Sequence, residues 1–287
     1  MAALAVRKSV SRLTAEERSR FVEALLQLKR DGHYDEMVSV HVRAMVDIRP
    51  DPAHGASAFL PWHRYCLRHL EYHLQAVDSS VTLPYWDWTR DRSPTGLPWT
   101  EDFMGDGGRD PNGRVLTGPF SGTKRWPIRI KDWRGQPDFL TRFYRDPDAM
   151  LPKRWRLLRT LEITPYDSRP WNWRTRSRDS FRAALETSLH NIVHVVVGGN
   201  MAGAASPNDP VFYLHHAMVD RIWAMWQKRH PTEPYRPRKS GPRGHNRYDR
   251  MWPWKEIEPA VTPRSVLKYH ALGYRYDDEE EWQGPAS

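Results

Sequence analysis

Cysteine is scarce in this chain: one, Cys66, in 287 residues. An internal disulfide is therefore excluded, and cysteine usage points to neither redox compartment. No apolar run approaches the roughly 20 residues that a membrane-spanning helix needs. Met1 to Val10 is too short and too polar for a secretory signal, so the expectation is a chain without an export signal of its own. Low-complexity segments are absent, and nothing repeats beyond a theme of paired helices. Acidic side chains are in the minority, 35 against 44 basic ones, for a net charge of +9. Such a balance raises the question of a nucleic-acid partner. The basic residues, however, are scattered through Pro- and Trp-containing stretches: Lys124 to Arg134, Lys153 to Arg159, Arg174 to Arg178 and Arg236 to Arg243. A solvated basic surface is the simpler reading, and its field would favour acidic small molecules.

What the chain does have is aromatic mass and histidine. Hydrophobic residues make up 39%, and fourteen Trp within 12% aromatics argue for a rigid, well-filled globule. Thr14-Ala15-Glu16-Glu17 is a capping box, and the apolar residues from Phe21 to Leu28 follow at helical spacing. A second helix is expected from about Tyr34 and a third from about Pro61 to Val77. From Arg90 to about Arg178 the chain is rich in Gly, Pro, Asp and Arg and reads mainly as long loops. Helix returns near Asp179. Asp209 followed by Pro210 is a good cap and first-turn pair for a last long helix. The acidic run from Asp277 to Glu281 reads as a solvated tail, about 277–287.

The histidines carry the chemistry. The first half holds His41, His54 and His63. The second holds His190 and His194, then the adjacent His215 and His216. His190 and His194 lie four apart, so they share one helix face. Three imidazoles per half imply two equivalent metal sites, and imidazole without thiolate suits copper, zinc, iron or nickel. Two equal all-nitrogen sites without a carboxylate favour copper that binds O2. His69 and His73 repeat the four-residue spacing, but Glu71 between them is at the wrong offset for a zinc-protease helix, and they read as ordinary helix residues. His33, His230, His245 and His270 read as surface or loop residues.

Three segments set these histidines in a longer context: Phe59-Leu60-Pro61-Trp62-His63-Arg64, Tyr85-Trp86-Asp87-Trp88 and Asn208-Asp209-Pro210-Val211-Phe212-Tyr213-Leu214-His215-His216. Together they resemble the bacterial tyrosinases and o-aminophenol oxidases of the type-3 copper family, from about Arg7 to Tyr276. The resemblance implies one domain over 1–287, mainly α, with a four-helix bundle enclosing a dicopper centre, long loops and a few short strands. It implies His41, His54 and His63 as ligands of one copper and His190, His194 and His216 as ligands of the other, with O2 as co-substrate. His215 would stand behind the ligands, since neighbours on a helix point about 100° apart. Asp209 and backbone carbonyls are candidates for orienting the imidazoles. Cys66 is read as a small buried hydrophobe.

The same resemblance bears on the reaction. Family members hydroxylate monophenols, oxidise catechols, or convert o-aminophenols, some of them to nitroso products. Asn191 fits the position of an Asn that helps hold a phenol-deprotonating water, and Glu186 that of its Glu partner. Gly55 and Ile192 stand where Arg is common, which predicts a wider, less charged rim. Met201, Ala204 and Ser206 match the loop that overhangs the second copper. A phenol bulkier than tyrosine, or an o-aminophenol bearing a carboxyl or amide group, is the expected preference. Bacterial relatives often need a small copper-delivering helper that also carries the export signal, so the chain is expected in the cytoplasm or exported with such a helper. The readings from other classes are a non-enzymatic O2 carrier, which would shield its pocket with an added domain, and a basic nucleic-acid-binding protein.

Overall fold

The computed structural model describes residues 4–145 and 150–282. Helix α1 (Ala15–Arg30) begins at the capping box: the Thr14 hydroxyl accepts the Glu17 N–H and the Glu17 carboxylate accepts the Thr14 N–H. This reciprocal pair satisfies two of the donors that a helix start leaves open. Gly32, at φ 87°, makes the left-handed turn into α2 (His33–Val46). Along α2, Tyr34, Met37, Val38, His41 and Ala44 are buried, at the spacing of one helix face. Thus the residue that the core side of α2 offers to the interior at mid-helix is an imidazole.

Helix α3 (Phe59–Val77) and α7 (Val211–Arg229) are buried over most of their circumference and pack along one another. A helix buried all round belongs to the centre of a domain. Between them in sequence come α4 (Arg154–Leu161), α5 (Phe181–Leu185) and α6 (Asn191–Val197). The turn Glu186–His190 joins α5 to α6 as one π-type turn, in which the Asn191 N–H bonds to the Glu186 carbonyl five residues back. Such turns recur at functional sites because the extra residue rotates the side chains of the next turn to a new direction. The outcome is the expected mainly helical architecture, with α2, α3, the α5–α6 unit and α7 around the histidines. Among the described residues, no helix is long and apolar enough to cross a membrane.

Two strands close the chain ends on each other. Strand β1 (Ala5–Arg7) pairs in parallel with β2 (Tyr274–Tyr276). Arg7 is fully buried and donates to Glu71 of α3 at 2.9 Å and to Asp220 of α7 at 3.3 Å, while Arg64 Nε reaches Asp220 at 2.5 Å. The acidic run is only in part the solvated tail its composition implies: Glu280 and Glu281 are exposed, and 283–287 lie outside the described residues, but Asp277 and Asp278 are engaged. Asp277 accepts the Ser9 N–H and the Tyr85 hydroxyl, and buried Asp278 pairs with Arg221 of α7. Buried Arg221 needs the Asp278 carboxylate, and that overrides the polar composition there.

Among the described residues, the long region after Arg90 holds α4 and is otherwise mainly loops. Buried Arg142 organises much of it: its guanidinium meets the Asp209 carboxylate at 2.7 and 2.8 Å and donates to the carbonyls of Met104 and Asp106. Asp209 also accepts the Val211 N–H at 3.0 Å, which fixes the first turn of α7. Gly199, at φ 54°, lies so close to this region that a Cβ there would stand 2.1 Å from the Thr141 carbonyl oxygen.

Candidate functional site

Five pieces of chain bring the six ligand candidates together: α2 supplies His41, the loop before α3 His54, α3 His63, the turn into α6 with α6 itself His190 and His194, and α7 His216. They form two groups, His41–His54–His63 and His190–His194–His215–His216, each with ligand atoms within 4.8 Å of one another. The groups abut: the rings of His63 and His216 stack 4.2 Å apart at 16°.

The hydrogen bonds decide which nitrogen faces the centre. His41 Nδ1 lies 2.7 Å from the Ala204 carbonyl, His63 Nδ1 2.9 Å from that of Phe59, and His194 Nδ1 2.7 Å from that of Met201. A carbonyl only accepts, so each Nδ1 carries the proton and each Nε2 presents a lone pair. His190 Nδ1 likewise donates, at 2.8 Å, to the amide oxygen of Asn191. His54 Nδ1 is 3.3 Å from Asp51, whose other oxygen accepts the Ala53 and His54 N–H groups and so holds the loop.

These lone pairs converge where a cation would sit. The Nε2 atoms of His190, His194 and His216 stand 3.0, 3.2 and 3.3 Å apart. Nitrogens bound at about 2.0 Å around one tetrahedral or trigonal ion lie at such separations. Nε2 of His41 and of His63 is buried without a partner among the described residues. Orphaned buried acceptors are rare without a reason. Burial, and then the neighbouring His54, pushes His41 down to about 3, and burial pushes His194 to about 4. Burial also holds His63, His190 and His216 well below the ordinary histidine value. All are therefore neutral at pH 7, the form that binds metal.

His215 is a different case. The buried indole of Trp88 donates to its Nδ1 at 3.2 Å, so the ring's proton sits on Nε2. It stacks on His190, 5.1 Å away at 19°, and supports that ring without offering an Nε2 lone pair to a metal. The Asp209 carboxylate is engaged with Arg142 and orients no imidazole; backbone carbonyls orient His41, His63 and His194, while Asn191 and Asp51 orient His190 and His54. Cys66 is buried, with its thiol pushed up to about 12 by burial, and behaves as core.

Above the histidines is a cavity of about 360 Å³, within the usual range for small-molecule sites. Met201, Ala204, Ser206 and Asn191 line it beside His41, His54, His190 and His194. Ile192 does not join them. It faces a separate depression with Trp155, Arg159 and Thr187, because two positions along a helix from His190 is about 200° round. Gly55 does not line the cavity either. It holds φ 66°, and a side chain there would meet Trp173 at 3.4 Å. Glu186 is 4% exposed, so it is not a solvated helix residue. Its carboxylate accepts the Gly55 N–H at 2.6 Å and Arg182 at 2.9 Å, so it ties the His54 loop to the helix that carries His190.

Several contributors escape sequence reading. Asp51 is spaced three residues before His54, a signal available but not distinctive. His245, which reads as a loop residue, is buried and accepts the Ala58 N–H at the start of α3 at 3.1 Å. Trp133 and Arg134 arrive at the cavity mouth from a loop that nothing in the local sequence connects to the site.

Fold and donor set define a helical protein built around a pair of metal ions held by imidazoles. The profile of the "Common central domain of tyrosinase" matches residues 31–229. The tyrosinase of Streptomyces glaucescens is 43% identical over 285 residues, which cover 96% of this chain and all of that protein. Grixazone synthase of Streptomyces griseus is 38% identical over 95% of this chain and 99% of that protein. In fold, deoxygenated hemocyanin from Rapana thomasiana superposes with a TM-score of 0.66 at 24% identity, over 96% of this chain and 70% of that one. The chain belongs to the tyrosinase family. It is a copper-dependent oxidoreductase of phenols, and the two histidine groups fit the copper pair that this family uses with O2.

Proposed function

We propose that His41, His54 and His63 hold one copper and His190, His194 and His216 the other, and that the enzyme accepts monophenols, catechols and o-aminophenols. The observation that carries this reading is the convergence of three imidazole Nε2 atoms at 3.0–3.3 Å beneath an apolar-walled cavity. When bound, the copper pair supplies the activation of O2 and takes up electrons from the ring. The protein's share is positional and protonic. Met201, Ala204 and Ser206 confine the ring over the metals. The Asn191 amide oxygen is occupied by His190, which leaves its NH2 to donate to a water. Glu186, whose oxygens keep spare lone pairs beside Gly55 and Arg182, accepts the proton that such a water relays from a monophenol hydroxyl.

A small copper-delivering partner protein belongs to the same proposal. Exposed Val46, Trp133 and Val195 surround the cavity mouth and give such a partner an apolar footing. The chain would then be exported with that partner, or stay in the cytoplasm without it. The experiment is metal analysis of the loaded protein with turnover on a monophenol, a catechol and an o-aminophenol side by side. Two coppers per chain and oxidation of all three support the reading. One metal per chain, or zinc retained in preference with no oxidase activity, overturns it.

A further inference from the structure

The cavity mouth is asymmetric in charge. Among the described residues, and apart from histidines, Arg134 is the one ionisable side chain lining it, beside Met, Val, Ala and Trp. Its position is built, not incidental. Arg134 Nη1 donates to the Ala202 carbonyl at 2.6 Å, and its guanidinium carbon lies 5.0 Å from the Trp133 ring centre. The loop beneath is pinned by Asp132, which accepts the Arg134 N–H at 2.8 Å and reaches toward Ala205 at 3.4 Å. The approach is so close that a Cβ on Gly203 would stand 2.4 Å from the Asp132 carboxylate. Asp132 is buried and turned to this contact; it does not line the cavity. A guanidinium has five N–H donors in a fixed fork, and the bond to Ala202 uses one. The rest suit a carboxylate better than any neutral group.

We propose that Trp133 and Arg134 form a carboxylate-reading subsite at the mouth of the dicopper cavity, so that the preferred phenols carry an anionic side arm. This rests on the phenol-oxidase reading above and deepens it. The ring enters over the metals, the arm points outward, Trp133 covers it with an apolar face, and Arg134 takes its charge. A diffuse attraction by the net charge of +9 makes a different prediction, because it would not depend on one residue.

The test uses two catechols of equal shape, 3-(3,4-dihydroxyphenyl)propanoate and its amide, with the copper-loaded enzyme. An exposed guanidinium–carboxylate pair predicts a kcat/KM preference for the acid of at most about 5-fold, carried mainly in KM. The preference should shrink between about 20 mM and about 500 mM salt as screening sets in. Arg134→Gln should remove both the preference and its salt dependence, Arg134→Lys should keep part of each, and Arg178→Gln, which removes equal charge elsewhere, should change neither. The same acid-to-amide ratio is read by calorimetry with the monophenol counterparts as ligands. No preference in the native enzyme, or an undiminished one in Arg134→Gln, overturns the subsite. Failure to oxidise either catechol would instead refute the phenol-oxidase reading, with the subsite judged on the calorimetric ratio.

Discussion

Glu186→Gln separates two jobs that the native side chain combines. Glu186 holds the Gly55 N–H at 2.6 Å and the Arg182 guanidinium at 2.9 Å. The amide oxygen of the replacement can still accept from Gly55, so the His54 loop keeps its anchor. Arg182 keeps its other partner, Asp167, at 3.1 Å through each of two nitrogens. What the substitution removes is the negative charge that receives a proton, together with the acceptor for Arg182 Nη1, so Asp167 alone then pairs the guanidinium. Loss of a positioned base lowers a rate by roughly 10²–10⁴-fold, and for a water-relayed proton the lower end, about 100-fold, is expected on a monophenol. A catechol does not depend on that base, and its rate should fall by less than about 3-fold. Glu186→Ala is the contrast: it leaves a buried N–H and a guanidinium short of a partner, a loss of about 1–3 kcal/mol, and should depress both rates and the copper content together. The assay is O2 uptake on 3-(4-hydroxyphenyl)propanoate and 3-(3,4-dihydroxyphenyl)propanoate, whose identical side arms cancel, with copper counted in the same samples. Equal loss on both substrates by Glu186→Gln at two coppers per chain would refute the relay.

The same geometry sets three further outcomes. Replacing His194 by Ala should reduce the copper count and abolish oxidation, whereas His73→Ala, at a ring stacked on His33, should leave both near native; metal analysis and O2 uptake decide. Arg142→Met should lower stability by about 3–5 kcal/mol because it strands the buried Asp209 carboxylate, and the double change Arg142→Met with Asp209→Asn should lose less than the two singles summed; additivity in urea unfolding would contradict a coupled pair. Asp91 is pushed up to about 6 by burial and then by nearby Asp87, from an ordinary 3.8. A raised carboxyl favours the fold below the unfolded value and loses that contribution as pH rises through the folded one. Asp91→Asn should therefore flatten the decline of Tm between about pH 4 and pH 7 and stabilise by about 1 kcal/mol at pH 7, after allowance for solvent screening; an unchanged slope would exclude this group as its source.

Much of the site is legible in sequence because metal ligation constrains spacing. The four-residue step from His190 to His194 places both rings on one face, and the capping box at Thr14 announces a helix that forms where expected. Ile192 shows the limit of resemblance: helical phase alone turns it away from the metals, and a family position drew it to the rim. Glu186 illustrates another gap, since the π-type turn that re-aims it and His190 has no signature in residue type. Asp209, His245 and Asp278 take their roles from partners distant in sequence, namely Arg142, Ala58 and Arg221. Composition marks such residues as polar and cannot say that a buried cation or helix start awaits them. The Trp133–Arg134 loop is invisible for the same reason.

The carbonyls of Ala204 and Met201 fix the tautomers of His41 and His194, while the side chains of those same two residues form the cavity wall. One stretch of chain thus serves metal and substrate through chemically independent parts. Every amino acid has the carbonyl, whereas only the side chain is heritably variable. Substitutions at 201 or 204 that respect the backbone path can therefore change which ring enters without altering how the imidazoles are presented. A lineage, or a laboratory selection, can explore new phenols at these positions while the oxidative apparatus stays intact, and libraries confined to them should return copper-replete proteins of altered preference far more often than inactive ones.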